Sequence, residues 1–323
     1  MKKIIKSILL LLIVGVISMI LYIKFALPDV GQMEYLKIEP TPAKLERGKY
    51  LANHVSVCMD CHSTRNWELF SGPLVEGTLG KGGEVFDQKF GFPGSFYSKN
   101  ITPFGIGNWT DAEVLRAIAS GVSKDGKALF PVMPHPHFGQ MDKNDLESII
   151  VYLRSLKSID NVVPESVADF PVNLIINAVP TEAQYSIIPS EKNTVAYGQY
   201  LFNAAACTEC HTKKEKGNPV DGMELAGGFD LQLATGGIVR SANITQDKAT
   251  GIGNWTEAQF VSRFKVYADS NYVPNKISKG SFNTVMPWTM YAGMKEQDLK
   301  AIYAYLKTVK PIHNNVEKFV SQE

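Results

Sequence analysis

Along the chain, apolar positions first form one continuous run and then give way to helical spacing. The run extends from Ile8 to Ile23, follows Lys2, Lys3 and Lys6, and is closed by Lys24. With Phe25, Ala26 and Leu27 it reaches the roughly twenty residues that cross a ~30 Å hydrocarbon layer. The leading lysines hold that end in the cytoplasm and send the rest of the chain outward. A cleaved signal peptide is the alternative, but the run is longer than a usual signal core and no small-x-small cleavage site follows it. Further on, Leu146, Ile149, Ile150 and Leu153 recur at helical spacing, as do Leu299, Ile302, Tyr303 and Leu306. Thr41-Pro42 starts a helix expected to run into Cys61, and Thr110 with Glu113 and Thr256 with Gln259 form capping boxes. Strand-like alternation is scarce. Between the helices lie long glycine-rich stretches, Gly72 to Gly94 and Gly222 to Gly237, of the kind that often carry function.

The polar and apolar pattern occurs twice. Tyr50-Leu51 recurs as Tyr200-Leu201, each two residues after a glycine (Gly48, Gly198). Asn100-Ile101-Thr102 recurs as Asn243-Ile244-Thr245, and the Gly105 to Thr110 segment as Gly251 to Thr256. Met133-Pro134 matches Met286-Pro287, and Asp145-Leu146 through Leu153 matches Asp298-Leu299 through Leu306. The offset stays at about 150 residues, a domain-sized period and not that of a solenoid. The expected division is a membrane anchor over 1–31, a first domain over 32–160, a linker over 161–192 and a second domain over 193–323.

Composition changes this picture little. The 323 residues carry 33 Lys and Arg against 32 Asp and Glu, a balance that gives no support to a nucleic-acid partner.

Cysteine changes it a great deal. The 4 cysteines form two CxxC pairs, each followed at once by histidine: Cys58, Cys61, His62 and Cys207, Cys210, His211. CxxCH is the attachment pattern of c-type haem. On one helical turn both thiols reach the two vinyl groups of a porphyrin, and the next histidine lies over the iron. A zinc site would need further cysteines, and a thioredoxin-like pair would need a βαβ setting. The cofactor reading is therefore two covalently bound haem c groups. On the far side of each iron, the thioether of Met133 or Met286 suits a high-potential site. His135 and His137 lie close to Met133 and could replace it, and His54 is a further competitor. Met141 and Met294 read as packing residues and His313 as a surface residue. Trp109, Trp255, Asn100 and Asn243 are candidate partners for haem propionates, with core and turn roles as the alternative.

In this order the motifs resemble bacterial class I cytochrome c domains, in particular the multi-haem cytochrome c subunits of membrane-bound alcohol, gluconate and fructose dehydrogenases. The resemblance covers roughly residues 44–156 and 194–310. It implies an all-α fold: two tandem class I cytochrome c domains after an N-terminal transmembrane helix. It implies His62 and His211 as proximal and Met133 and Met286 as distal iron ligands. It also implies a relay between a dehydrogenase or quinol donor and a respiratory acceptor such as the terminal oxidase side, on the periplasmic face of the bacterial cytoplasmic membrane. Those subunits usually carry three haem domains. An aromatic residue commonly follows their Met-Pro; Trp288 fits and His135 does not. The sequence leans to an electron-transfer protein with no catalytic residue. The alternative is a di-haem enzyme of the peroxidase or thiosulfate dehydrogenase type, with one open or displaceable iron ligand.

Overall fold

The computed structural model describes residues 1–321; the final two residues of the expected second domain lie outside them. Helix α1 (Lys2–Phe25) is apolar between its terminal lysines, with a mean hydropathy of 2.8 over its most apolar stretch, and is long enough to cross a membrane. Only Ile23 near its end is buried.

Two similar helical assemblies follow. In the first, α2 (Pro42–Tyr50) begins at the Thr41 cap and continues as a π-turn over Leu51–Val55. The expected continuous helix into Cys61 breaks at Val57, whose φ of +42° is left-handed, and α3 (Cys58–Cys61) starts afresh. Then come α4 (Pro103–Ile106), α5 (Asp111–Ser120), α6 (His135–Phe138) and the closing helix α7 (Lys143–Ser155). A short α8 (Val172–Ile175) lies between the assemblies and touches α1, where Asn177 donates to the Ile23 carbonyl at 3.3 Å. The second assembly comprises α9 (Thr194–Ala204), α10 (Cys207–His211), α11 (Glu257–Lys265), α12 (Trp288–Tyr291) and α13 (Glu296–Leu306). Both expected capping boxes form.

In each assembly the opening helix crosses the closing helix at a glycine. A Cβ on Gly48 would lie 1.8 Å from the Ser148 carbonyl, and one on Gly198 would lie 1.8 Å from that of Ala301. Only glycine lets these backbones meet so closely, which accounts for its repetition before each Tyr-Leu pair.

The all-α expectation is corrected. Helices make up 39% and strands 9% of the chain, so the glycine-rich stretches are partly sheet and not only loop. Strands β1 (Val85–Phe86), β2 (Gly94–Tyr97) and β3 (Val167–Ala168) form one antiparallel sheet. Strands β4 (Lys214–Glu215) and β5 (Asn218–Pro219) form a small hairpin. A third sheet joins β6 (Asp230–Gln232), β7 (Ile238–Arg240) and β8 (Phe319–Val320). In both three-stranded sheets the last strand comes from beyond the closing helix. Runs this short leave no alternation to read, and β3 and β8 have their partners far away in sequence.

The two assemblies share one buried apolar cluster, which includes Leu51, Leu146 and Ile149 of the first and Leu201, Leu299 and Leu306 of the second. Two tyrosines cross between them in mirror fashion. Tyr50 donates to Asp298 at 2.5 Å and accepts from the Lys295 amide at 3.1 Å. Tyr200 donates to Asp145 at 2.6 Å and accepts from the Asp142 amide at 3.2 Å. Each phenol thus caps the first turn of the other half's closing helix, joining the N-cap amide to the N3 carboxylate. The mirror is imperfect: Asp145 also holds a bidentate pair with Arg47 at 2.7 and 2.8 Å.

Candidate functional site

Each CxxCH segment is a single helical turn entered through a left-handed residue, Val57 in one and Ala206 (φ +49°) in the other. The left-handed residue separates each turn from the helical segment before it. The imidazoles are then fixed by the loop before each Asn-Ile-Thr segment. His62 donates from Nδ1 to the Lys99 carbonyl at 2.6 Å, and His211 from Nδ1 to the Ala242 carbonyl at 2.8 Å. These bonds settle the tautomer and leave Nε2 as the basic nitrogen, the arrangement a metal-binding histidine needs. Burial holds both imidazoles below their ordinary value, so they are neutral at pH 7. The thiols are pushed the other way: burial raises Cys58 and Cys207 to about 12. Redox-active CxxC pairs lower a thiol instead.

The structure gives Asn100 and Asn243 a definite job. Asn100 Oδ1 accepts from both the amide and the hydroxyl of Thr102, while its Nδ2 donates to the carbonyls of Ile159 and Asn161 at 2.9 and 3.1 Å. Asn243 repeats this with Thr245, Thr250 and the Ile312 carbonyl. Both amides are spent on backbone and neighbouring hydroxyls, where they brace the residue whose carbonyl holds the histidine. Trp109 and Trp255 are half-buried against the apolar cluster. Their carbonyls are held by Arg154 and Tyr303 respectively.

Met133 and Met286 lie in matching turns just before α6 and α12, half-buried against the apolar cluster. Each carbonyl accepts from the amide two residues on, at 2.7 Å from His135 and 2.8 Å from Trp288. Met141 and Met294 are buried in the core. His135 is fully buried against Gly121, with neither ring nitrogen hydrogen-bonded, and burial lowers it to about 4. His54 and His137 both lie between the halves. His54 Nδ1 donates to the Met290 carbonyl at 2.9 Å, while His137 contacts Asn203 and Glu209, each at 2.8 Å. His313 is exposed beside Asp247.

Glu209 belongs to the second CxxCH turn, so His137 of the first half touches the second motif directly. Tyr291 of α12 is buried and donates to the Ala205 carbonyl at 3.2 Å, just before the second motif; burial pushes its phenol up. The second CxxCH turn therefore lies at the boundary between the halves. Among residues that the sequence did not single out, Glu209 and Asp60 occupy the same place within their motifs, paired with Lys214 (2.5 Å) and Arg65 (3.0 Å).

The donor set fits haem c. Among the described residues no three His, Cys, Asp or Glu side chains gather into a metal cage. Each motif instead presents two uncharged thiols and one neutral imidazole with a free Nε2 on a single turn.

Residues 195–310 match the family described as Cytochrome c. The chain is 26% identical over 287 residues to the alcohol dehydrogenase (quinone) cytochrome c subunit of Gluconacetobacter polyoxogenes, covering 84% of this chain and 57% of that protein. It is also 26% identical to the fructose dehydrogenase cytochrome subunit of Gluconobacter japonicus, covering 84% and 54%. A diheme cytochrome c-type protein of Cereibacter sphaeroides is 26% identical over 246 residues, covering 72% and 76%. The chain thus spans a little over half the length of the dehydrogenase subunits it matches. Residues 195–310 are a cytochrome c domain, and along most of its length the chain resembles the cytochrome c subunits of bacterial alcohol and fructose dehydrogenases.

Proposed function

We propose that the chain is a membrane-anchored di-haem cytochrome that relays electrons between a dehydrogenase or quinol donor and a respiratory acceptor. The observation that carries this reading is the pair of matching CxxCH turns, each with its histidine Nδ1 committed to a backbone carbonyl. Haem c, when bound, supplies a one-electron iron couple.

The chain's own residues supply the rest. Cys58, Cys61, Cys207 and Cys210 would tether the two groups covalently. His62 and His211, oriented by the carbonyls of Lys99 and Ala242, would bind each iron through Nε2. Met133 and Met286 would supply a thioether sulfur to each iron, a ligand that favours the reduced state. Trp109 and Trp255 offer indole N–H donors to propionates, while Asn100 and Asn243 act from behind by bracing the histidine-holding loop. Helix α1 keeps the two halves, residues 32–160 and 193–323 joined through 161–192, at the outer face of the bacterial cytoplasmic membrane, within reach of a dehydrogenase partner.

Titration of the air-oxidised protein with cyanide tests the relay reading against the enzyme reading. Two low-spin sites that resist cyanide are expected. One high-spin site binding cyanide readily would favour a di-haem enzyme.

A further inference from the structure

The second site's methionine turn is held by the first half of the chain, through contacts that begin inside the first CxxCH motif. Asp60, between Cys58 and Cys61, bonds Arg65 at 3.0 Å. The Arg65 guanidinium is almost wholly enclosed, lies 4.0 Å over the Trp67 ring, and donates to the Gly72 carbonyl at 2.8 Å and the Ser71 carbonyl at 2.7 Å. Ser71 is fully buried with φ +63°, a left-handed conformation that costs a non-glycine residue energy and holds only when its surroundings enforce it.

The enforcement comes from the other half. The Ser71 hydroxyl donates to the Met286 carbonyl at 2.6 Å and accepts from the Trp288 amide at 3.1 Å, bracketing the Met286-Pro287 turn. The Ser71 amide donates to Asn283 Oδ1 at 2.9 Å. Asn283, also fully buried, donates from Nδ2 to the carbonyls of Trp67 and Leu69. Two backbone bonds of 2.8 Å, from Phe70 to Asn275 and from Ile277 to Glu68, complete the seam. On the far side Arg263 lies 4.0 Å over Trp288 and clamps the same turn.

We propose that Ser71, oriented by Arg65 and Asn283, is a positioning residue for the Met286 sulfur, so that the second iron's thioether ligand depends on the first half of the chain. This rests on Met286 being that ligand, and it deepens the relay reading by making the two sites one hydrogen-bonded unit. Loading at the first motif and ligation at the second are then coupled through the sequence of contacts Asp60, Arg65, Ser71 and Met286.

The test uses the full-length, haem-loaded protein in detergent. The far-red sulfur-to-iron band of the ferric protein and the affinity for added imidazole are both recorded. Met133→Ala and Met286→Ala first assign each site's share of the band. Ser71→Gly then removes the hydroxyl while suiting the positive φ. One such buried hydrogen bond is worth about tenfold in an equilibrium. Ser71→Gly is expected to weaken the Met286 share and to tighten imidazole binding at that site by roughly tenfold, with haem content and the Met133 share unchanged. Arg65→Lys, which keeps the charge beside Asp60 but cannot hold both carbonyls, is expected to act in the same direction. In the Met286→Ala background, Ser71→Gly should change nothing further. A Met286→Ala protein that keeps the full band would remove the ligand reading itself. A Met286 share and imidazole affinity that survive both Ser71→Gly and Arg65→Lys would overturn the positioning role alone, as would equal loss at both sites.

Discussion

Replacing Tyr50 by phenylalanine deletes one oxygen from the boundary between the halves, and the structure sets the size of the effect. That oxygen donates to Asp298 at 2.5 Å and accepts from the Lys295 amide at 3.1 Å. Asp298 is 3% exposed, and among the described residues Tyr50 is the side chain that bonds its carboxylate. Losing a hydrogen bond to a charged, buried partner costs about 1.5–3 kcal/mol, and the stranded carboxylate places Tyr50→Phe at the upper end. Tyr200→Phe removes the mirror oxygen, yet Asp145 keeps its bidentate Arg47 pair. Its cost should lie near 1.5 kcal/mol. The two substitutions, alike in sequence context, are therefore expected to differ by about a factor of two. Guanidinium unfolding of the haem-loaded protein, followed by far-UV circular dichroism, measures both, with Tyr50→Phe/Asp298→Asn as the closing corner of a cycle. Removing the charge with the hydroxyl should recover part of the loss. Equal costs for the two variants, or costs below about 0.5 kcal/mol for both, would show that the crossed caps do not join the halves.

Three further outcomes follow from other elements. Gly48→Ala and Gly198→Ala each drive a methyl into a carbonyl at 1.8 Å, so each should destabilise by more than about 3 kcal/mol and lower the yield of haem-loaded protein. His54 is held below its ordinary 6.5 chiefly by burial, against the raising effect of its bond to Met290. The unfolded chain takes up a proton near that value before the folded one does, so stability should fall as pH drops below 6.5 and level off past the folded value. His54→Asn should flatten that slope, as read from denaturation midpoints between neutral and mildly acidic pH. If α1 is an anchor, the haem-loaded protein should stay in the membrane fraction after alkaline carbonate washing, and a chain starting after Leu27 should be released.

The sequence discloses the duplication and the two CxxCH turns because each is written in contiguous residues. Cys58, Cys61 and His62 need only one helical turn, and their second copy removes coincidence. The β-structure was hidden because strands such as Val85–Phe86 and Val167–Ala168 are two residues long, and Val167–Ala168 finds its partners, Ser95 and Gly94, far back in the sequence. The tyrosines were visible as repeated letters, as were Asp145 and Asp298. Nothing in a repeat says that Tyr50 belongs with the aspartate of the other copy. Ser71 was the hardest to see. It has no matching role in the second half, its left-handed backbone is set by Arg65 and Asn283, and its partner Met286 is 215 positions away. The one local hint was an arginine just beyond the motif, facing Asp60 within it.

The central claim is that both CxxCH turns carry haem on the same chain. Mass measurement of the intact, denatured protein tests this directly. The account predicts the polypeptide mass plus two haems, falling by one haem in a Cys58→Ala/Cys61→Ala protein. A polypeptide carrying one haem or none, with the remaining cysteine pairs oxidised to disulfides, would contradict it.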